Sequence, residues 1–177
     1  MDDLINEFFD KSTNTDSKIV YAILSRYEHD EWLDVCKVLP SIATKEELAD
    51  ALADATEYGP DDVTTICLFK VEDPQTAEKL QQIANSSEHP IYESDDPEDY
   101  NFIVDFWNEN TDEFCVNGDS LMGDFQKFAF NHYFGKEMPK YEDDDWPDAE
   151  DAISDKLCSM DTPEYHKLLK AYYLENL

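Results

Sequence analysis

The chain has 177 residues, 41% apolar and 13% aromatic, with 43 Asp and Glu against 13 Lys and Arg and a formal net charge of −30. The aromatic content excludes a disordered acidic tail, because such tails lack the apolar surface needed to fold. The charge argues against direct binding to nucleic acid or to an anionic membrane, since duplex DNA itself presents one negative charge per ~1.7 Å of axis.

No apolar run approaches the roughly 18 residues that span a bilayer. The start, Met1-Asp2-Asp3-Leu4, has neither a basic n-region nor an apolar h-region, so no secretory signal is expected. Cys36, Cys67, Cys115 and Cys158 lie far apart with no CxxC. They read as free thiols in a reducing cytoplasm rather than as a disulfide framework.

In chain order, Leu4, Ile5, Phe8 and Phe9 place a helix over 1–11. The β-branched run 19–24 reads as a buried strand. Trp32, Leu33, Cys36 and Leu39 recur at helical spacing and predict a helix over 30–39, stopped by Pro40. Thr44-Lys45-Glu46-Glu47 is a capping box opening a helix whose inner face is Leu48, Leu52, Ala55 and Tyr58, closed by Gly59. Residues 64–71 read as a second strand. Asp73-Pro74 pairs an N-cap with proline at the first helical position and opens a helix to about residue 85.

A short strand is an option at 90–93. Asp96-Pro97 repeats the start signal, with Phe102, Ile103, Phe106 and Trp107 as the buried stripe. A loop around Asn117-Gly118 leads to a helix through Leu121, Phe125, Phe128, Ala129 and Tyr133, capped by Gly135. A polar connector over 138–145 precedes two closing helices near 147–160 and 163–176. In the last one Tyr165, Leu168, Leu169, Tyr172 and Tyr173 share a face, and the final two tyrosines either pack inward or belong to a homodimer face. The expected class is α+β, predominantly α, with a two- or three-stranded sheet and about seven amphipathic helices. A division falls near residue 86, between an α/β half (1–86, two strands) and an acidic, mainly helical half (87–177); one continuous domain is the alternative.

Charge is spread unevenly. No Lys or Arg occurs from Leu80 to Gln126, a stretch that carries Glu93, Asp95, Asp96, Glu98, Asp99, Asp105, Glu109, Asp112 and Glu113 among its carboxylates. A second cluster holds Glu142, Asp143, Asp144, Asp145, Asp148, Glu150 and Asp151. Ordinary solubilising surfaces intersperse both signs. Carboxylates three or four apart on a helix sit ~5–6 Å from one another, close to the spacing of phosphates along a strand. These sixteen groups are therefore the expected contacts for a basic, nucleic-acid-binding protein. The bland reading is a solvated face or adaptation to high salt, although twelve of the thirteen basic residues are Lys rather than Arg.

Other motifs carry less. Gly118-Asp119-Ser120-Leu121 resembles the nucleophile block of GDSL-type hydrolases, but it stands two-thirds along the chain rather than after a first strand. A helix N-cap at Asp119 or Ser120 explains the same letters. Asn108 to Asp112 starts like a calcium loop, yet Glu113 stands where the turn needs Gly and Asp119 where a bidentate Glu is needed, so a helix-ending loop is the better account. His29, His89, His132 and His166 are dispersed, and only four Gly are present, which supports neither a metal site nor a phosphate-cradling loop. No enzyme activity and no cofactor are expected.

The segment Glu93-Ser94-Asp95-Asp96-Pro97-Glu98-Asp99-Tyr100 with its following helix, and the aromatic run 128–134, resemble the acidic C-terminal region of antirestriction proteins of the ArdA kind. In overall character the chain resembles the DNA-mimic counter-defence proteins of phages and mobile elements. That resemblance implies inhibition of a restriction or CRISPR nuclease by occupation of its DNA groove, often as a dimer, in the host cytoplasm. The second reading is an immunity protein that neutralises a basic nuclease toxin, using the same charge around an aromatic such as Trp107 or Trp146.

Overall fold

A computed structural model describes residues 20–26, 32–57, 65–86 and 90–177. The β-branched and apolar runs form the central strands β1 (Val20–Arg26) and β3 (Thr65–Val71), which pair with each other in antiparallel register, Ile23 opposite Leu68. Two more strands flank them, β2 (Leu33–Pro40) beside β1 and β4 (Asp112–Asn117) beside β3. The sheet order is β2-β1-β3-β4, antiparallel throughout. Six helices complete the described fold: α1 (Lys45–Glu57), α2 (Pro74–Ala84), α3 (Pro97–Glu109), α4 (Gly118–Phe134), α5 (Trp146–Cys158) and α6 (Thr162–Asn176).

Because strand side chains alternate, the two faces of the sheet bury different sets. Ala22, Leu24, Val35, Cys67, Phe69 and Val71 face α2 and α3, where Leu80, Ile83, Ile103 and Phe106 close the cluster. Ile23, Ile66 and Leu68 face the larger helical layer of α1, α4, α5 and α6, where Leu52, Phe125, Ile153, Leu169 and Tyr173 are fully or nearly fully buried. The result is an α+β fold in three layers, with the sheet in the middle. The strand that follows residue 86 in sequence, β4, pairs with β3 from the stretch before it.

Local start signals act as the sequence suggests. Thr44 N–H donates to Glu47 Oε2 (2.7 Å) and Glu47 N–H donates to Thr44 Oγ1 (3.2 Å), a complete capping box on α1. Asp73 accepts from Thr76 N–H (2.7 Å), and Asp96 from Asp99 N–H (3.0 Å), each with proline at the start of the helix. Gly135, at φ +64°, ends α4, its N–H bound to the Asn131 carbonyl (2.8 Å).

Four expectations are corrected. Residues 33–40 form a strand, not a helix. Cys36 is the extra residue of a bulge, since Leu24 pairs with Val35 and Ile23 with Lys37. That insertion breaks strict alternation and makes the apolar spacing imitate a helix. Second, residues 112–117 are strand rather than loop, and they lead directly into α4. The sheet therefore has four strands, not two or three, and the described helices number six.

Third, Cys67 and Cys115, directly opposite each other in β3 and β4, are joined in a disulfide across 48 residues. Cys36 and Cys158 are free, and burial, then Asp34, pushes the Cys36 thiol up to about 12. Fourth, α4 begins at Gly118, so Asp119 and Ser120 fall in its first turn rather than at its cap.

The option of a strand at 90–93 is met by a single bridge, Leu33 with Ile91. The helix expected over 1–11, together with Tyr58, Gly59, His29 and His89, lies outside the described residues. No helix among the described residues is long and apolar enough to cross a membrane.

α1 and α6 are clasped from both ends of their contact. Tyr173 is fully buried, its hydroxyl 2.7 Å from Thr56 Oγ1, which in turn donates to the Leu52 carbonyl (2.8 Å). Near the surface, Lys170 Nζ donates to Asp50 Oδ1 (2.8 Å), and His166 lies 3.4 Å from Asp50 and 3.5 Å from Asp54. The Lys170 hydrogen bond, more than His166, holds the Asp50 carboxyl below its ordinary value. Tyr173→Phe removes one buried hydrogen bond and is expected to cost about 1 kcal/mol in urea unfolding. Leu169→Ala, in the same layer, should cost about 2–5 kcal/mol; equal losses from the two would contradict this account.

Candidate functional site

Of the sixteen carboxylates singled out above, thirteen are exposed, and Asp96, Asp99 and Glu150 are half-buried. Among the described residues only one of them, Asp99, forms an ion pair, with Lys79 of α2. Asp96 is occupied in part as the cap of α3, and Asp143 accepts from Lys140 N–H (2.8 Å). The remainder form no ion pair among the described residues, although Lys70 is close enough to feel Glu113, and Lys79 to feel Glu98.

Their placement follows from amphipathicity. α3 buries Tyr100, Ile103 and Phe106 against the sheet, which turns Glu98, Asp105 and Glu109 outward along one stripe. At 1.5 Å per residue their separations along the axis are roughly 10 and 6 Å. Asp112 and Glu113 continue beyond the helix at the start of β4, an edge strand. α5 buries Ala149 and Ile153, so Asp148 and Asp151 are exposed on its opposite side.

Asp155, which the sequence reading left out, is also exposed and falls four residues after Asp151 and seven after Asp148. The spacing alone was sufficient to find it, but the adjacent Lys156 ends the unbroken acidic run and hid it. Asp148, Asp151 and Asp155 therefore form a second stripe, roughly 10 Å long.

The two stripes are not brought together. α3 packs on one face of the sheet and α5 in the layer on the other. Each stripe is a separate acidic face, and one flat basic surface meets one of them at a time. Between the connector and α5, Glu142 to Asp145 form turns ahead of the first helical residue, Trp146. Trp146 is half-buried, with its ring 4.9 Å from that of Tyr141, which is 79% exposed. Trp107, by contrast, packs on Phe69 (5.4 Å between centroids) with Arg26 over its ring (5.1 Å).

The side chain of Ser120 lies outside the described residues. Positions 112–117 of the supposed calcium loop are extended and paired to β3, a conformation that cannot wrap an ion. His132 stacks on Phe128 (6.1 Å between centroids) and His166 sits in the Asp50–Asp54 clasp. Among the described residues no three His, Cys, Asp or Glu side chains converge in a way that could hold a metal. Comparison with protein-family models, with curated proteins and with solved structures gives no match.

Unpaired exposed carboxylates at this density repel one another. Raising NaCl from ~0.01 to ~0.5 M shortens the screening length from ~30 Å to under 10 Å and should raise the thermal midpoint by several degrees. A midpoint that stays level or falls over that range would contradict uncompensated repulsion.

Proposed function

We propose that this chain is a DNA-mimic inhibitor, binding the basic DNA groove of a nucleic-acid enzyme of the restriction or CRISPR type through its surface carboxylates. One observation carries the reading: fifteen of sixteen clustered carboxylates have no ion-pair partner among the described residues. A fold tolerates such repulsion only if the charge serves something else, because each exposed Lys partner would relieve it at little cost. The α5 stripe, and Asp105 with Glu109 on α3, offer charge three or four residues apart, the spacing a phosphate-binding groove accepts. Partner Lys and Arg would be drawn in by long-range attraction, giving fast association that salt weakens.

A second reading, the immunity protein, draws support from Tyr141 and Trp146. An exposed tyrosine on a half-buried tryptophan, bracketing Glu142 to Asp145, has the composition of an interface hot spot, where aromatic anchors sit amid charge. In that case the target is a single basic nuclease toxin, blocked at a defined surface patch.

A competition assay tests the first reading. Restriction and CRISPR nucleases are loaded with fluorescent duplex DNA at ~0.05 M salt and titrated with the protein. Displacement competitive with DNA is expected for at least one enzyme, weakened tenfold or more at ~0.3 M salt. Inhibition that excess DNA fails to relieve, or displacement from none of them, contradicts it.

A further inference from the structure

Between α4 and the last turn of α6 lies an open groove of about 620 Å³, completed by the residues just after Gly135. Its floor is aromatic, from Phe128 and Tyr172, and its rim carries the carboxylates of Asp124, Glu137 and Glu175. The single lysine in the lining, Lys127, is drawn to Asp124 (3.1 Å). Three carboxylates against one ammonium and the His132 imidazole leave the groove negative. It also meets the C-terminal end of α6, where the helix carries a partial negative charge of its own.

Tyr172 gives the groove a built polar group. The residue is only 5% exposed, and its ring is held edge-on to Phe125 (5.7 Å) and Phe128 (5.6 Å). Among the described residues its hydroxyl has no hydrogen-bond partner. No described buried polar side-chain atom is left unsatisfied, so the hydroxyl is reached from the groove that the residue lines. Burial, and next the Asp124 carboxylate, push the phenol's pKa up, so at neutral pH it offers a neutral oxygen. A hydroxyl fixed among rings and reached from the groove is a placed acceptor for a donor that enters it.

We propose that this groove receives an arginine side chain of the basic partner. A guanidinium is planar, always charged and weakly hydrated, so it can pack beside the stacked Phe128 and His132 rings while its N–H groups reach carboxylates and the phenol oxygen. Lysine fits less well, since its compact, strongly hydrated ammonium gains less from an aromatic floor. The volume exceeds one side chain, leaving room for the residues on either side of the arginine. That the donor belongs to a basic protein partner rests on the inhibitor reading; the affinity of the groove for a guanidinium does not.

The groove is tested by NMR titration of the whole ¹⁵N-labelled protein with N-acetyl-arginine methylamide, beside its neutral isostere N-acetyl-citrulline methylamide. Shifts should centre on the amides of residues 124–138 and 172–176, with arginine binding about fivefold or more tighter than citrulline. Tyr172→Phe should weaken binding about fivefold at an unchanged thermal midpoint, because the lost hydroxyl has no protein partner. Glu175→Gln, at an exposed position, should weaken it similarly and guards against a folding defect in the first variant.

Shifts centred on residues 93–113 or 142–151, equal binding of citrulline, or full affinity in both variants would overturn the proposal. Nuclease inhibition without arginine in the groove would overturn the groove alone. Arginine in the groove with no nuclease displaced from DNA would uphold the groove and overturn the inhibitor reading alone.

Discussion

Like-charge repulsion is the constraint around which this fold is built. Thirty net negative charges on 177 residues oppose compaction, and what opposes them in turn is apolar burial on both faces of one sheet. β1 and β3 are the strands that make this arrangement work. Ala22, Ile23 and Leu24 are completely buried, as are Ile66 to Phe69 within a few per cent, so two adjacent strands serve two cores at once. A sheet covered on one side only would leave half of that apolar surface in water. With both sides covered, every helix has an inner face to bury and an outer face free to carry charge.

That division of labour explains where the carboxylates go. α3 buries Tyr100, Ile103 and Phe106, and α5 buries Ala149 and Ile153, which commits the opposite sides to solvent. Acidic residues at the helix starts are also locally useful. Asp73, Asp96 and Asp161 each accept a backbone N–H from the first turn, and carboxylates there oppose the helix dipole favourably. Such local roles account for a few of the charges. They leave Asp105, Glu109, Asp151 and Asp155 without a structural task, and these are the groups that define the stripes. Because the stripes lie in different layers, a partner that engages one leaves the other exposed. The groove between α4 and α6 belongs to the same layer as α5.

Much of this was legible in the sequence wherever a local signal existed. The capping box at Thr44, the Asp-Pro starts at 73 and 96, Gly135 and the strands at 20–26 and 65–71 all act through neighbours a few residues apart. Tyr172 and Tyr173, left open between core and dimer face, are buried against α1 and α4. What sequence could not supply depends on long-range pairing. β4 is short and lies at an edge, with too few alternating residues to declare itself, and it exists because β3 offers it a partner. The bulge at Cys36 disguised β2 as a helix. The Cys67–Cys115 disulfide requires knowing that β3 and β4 are neighbours. The groove joins residues about fifty apart that only the packing of α4 on α6 brings together.

The central claim is that the stripes are kept for a partner at the expense of the fold, and stability and inhibition measured on the same variants test it most directly. One variant carries Glu98→Gln, Asp105→Asn and Glu109→Gln, and the other carries Asp148→Asn, Asp151→Asn and Asp155→Asn. Each is unfolded in urea and titrated against a nuclease–DNA complex at one ionic strength. The account predicts that neutralisation leaves stability level or raises it, while at least one variant loses tenfold or more in displacing DNA. Lower stability in both variants with undiminished displacement would mean that the carboxylates hold the fold together, and the claim would be wrong.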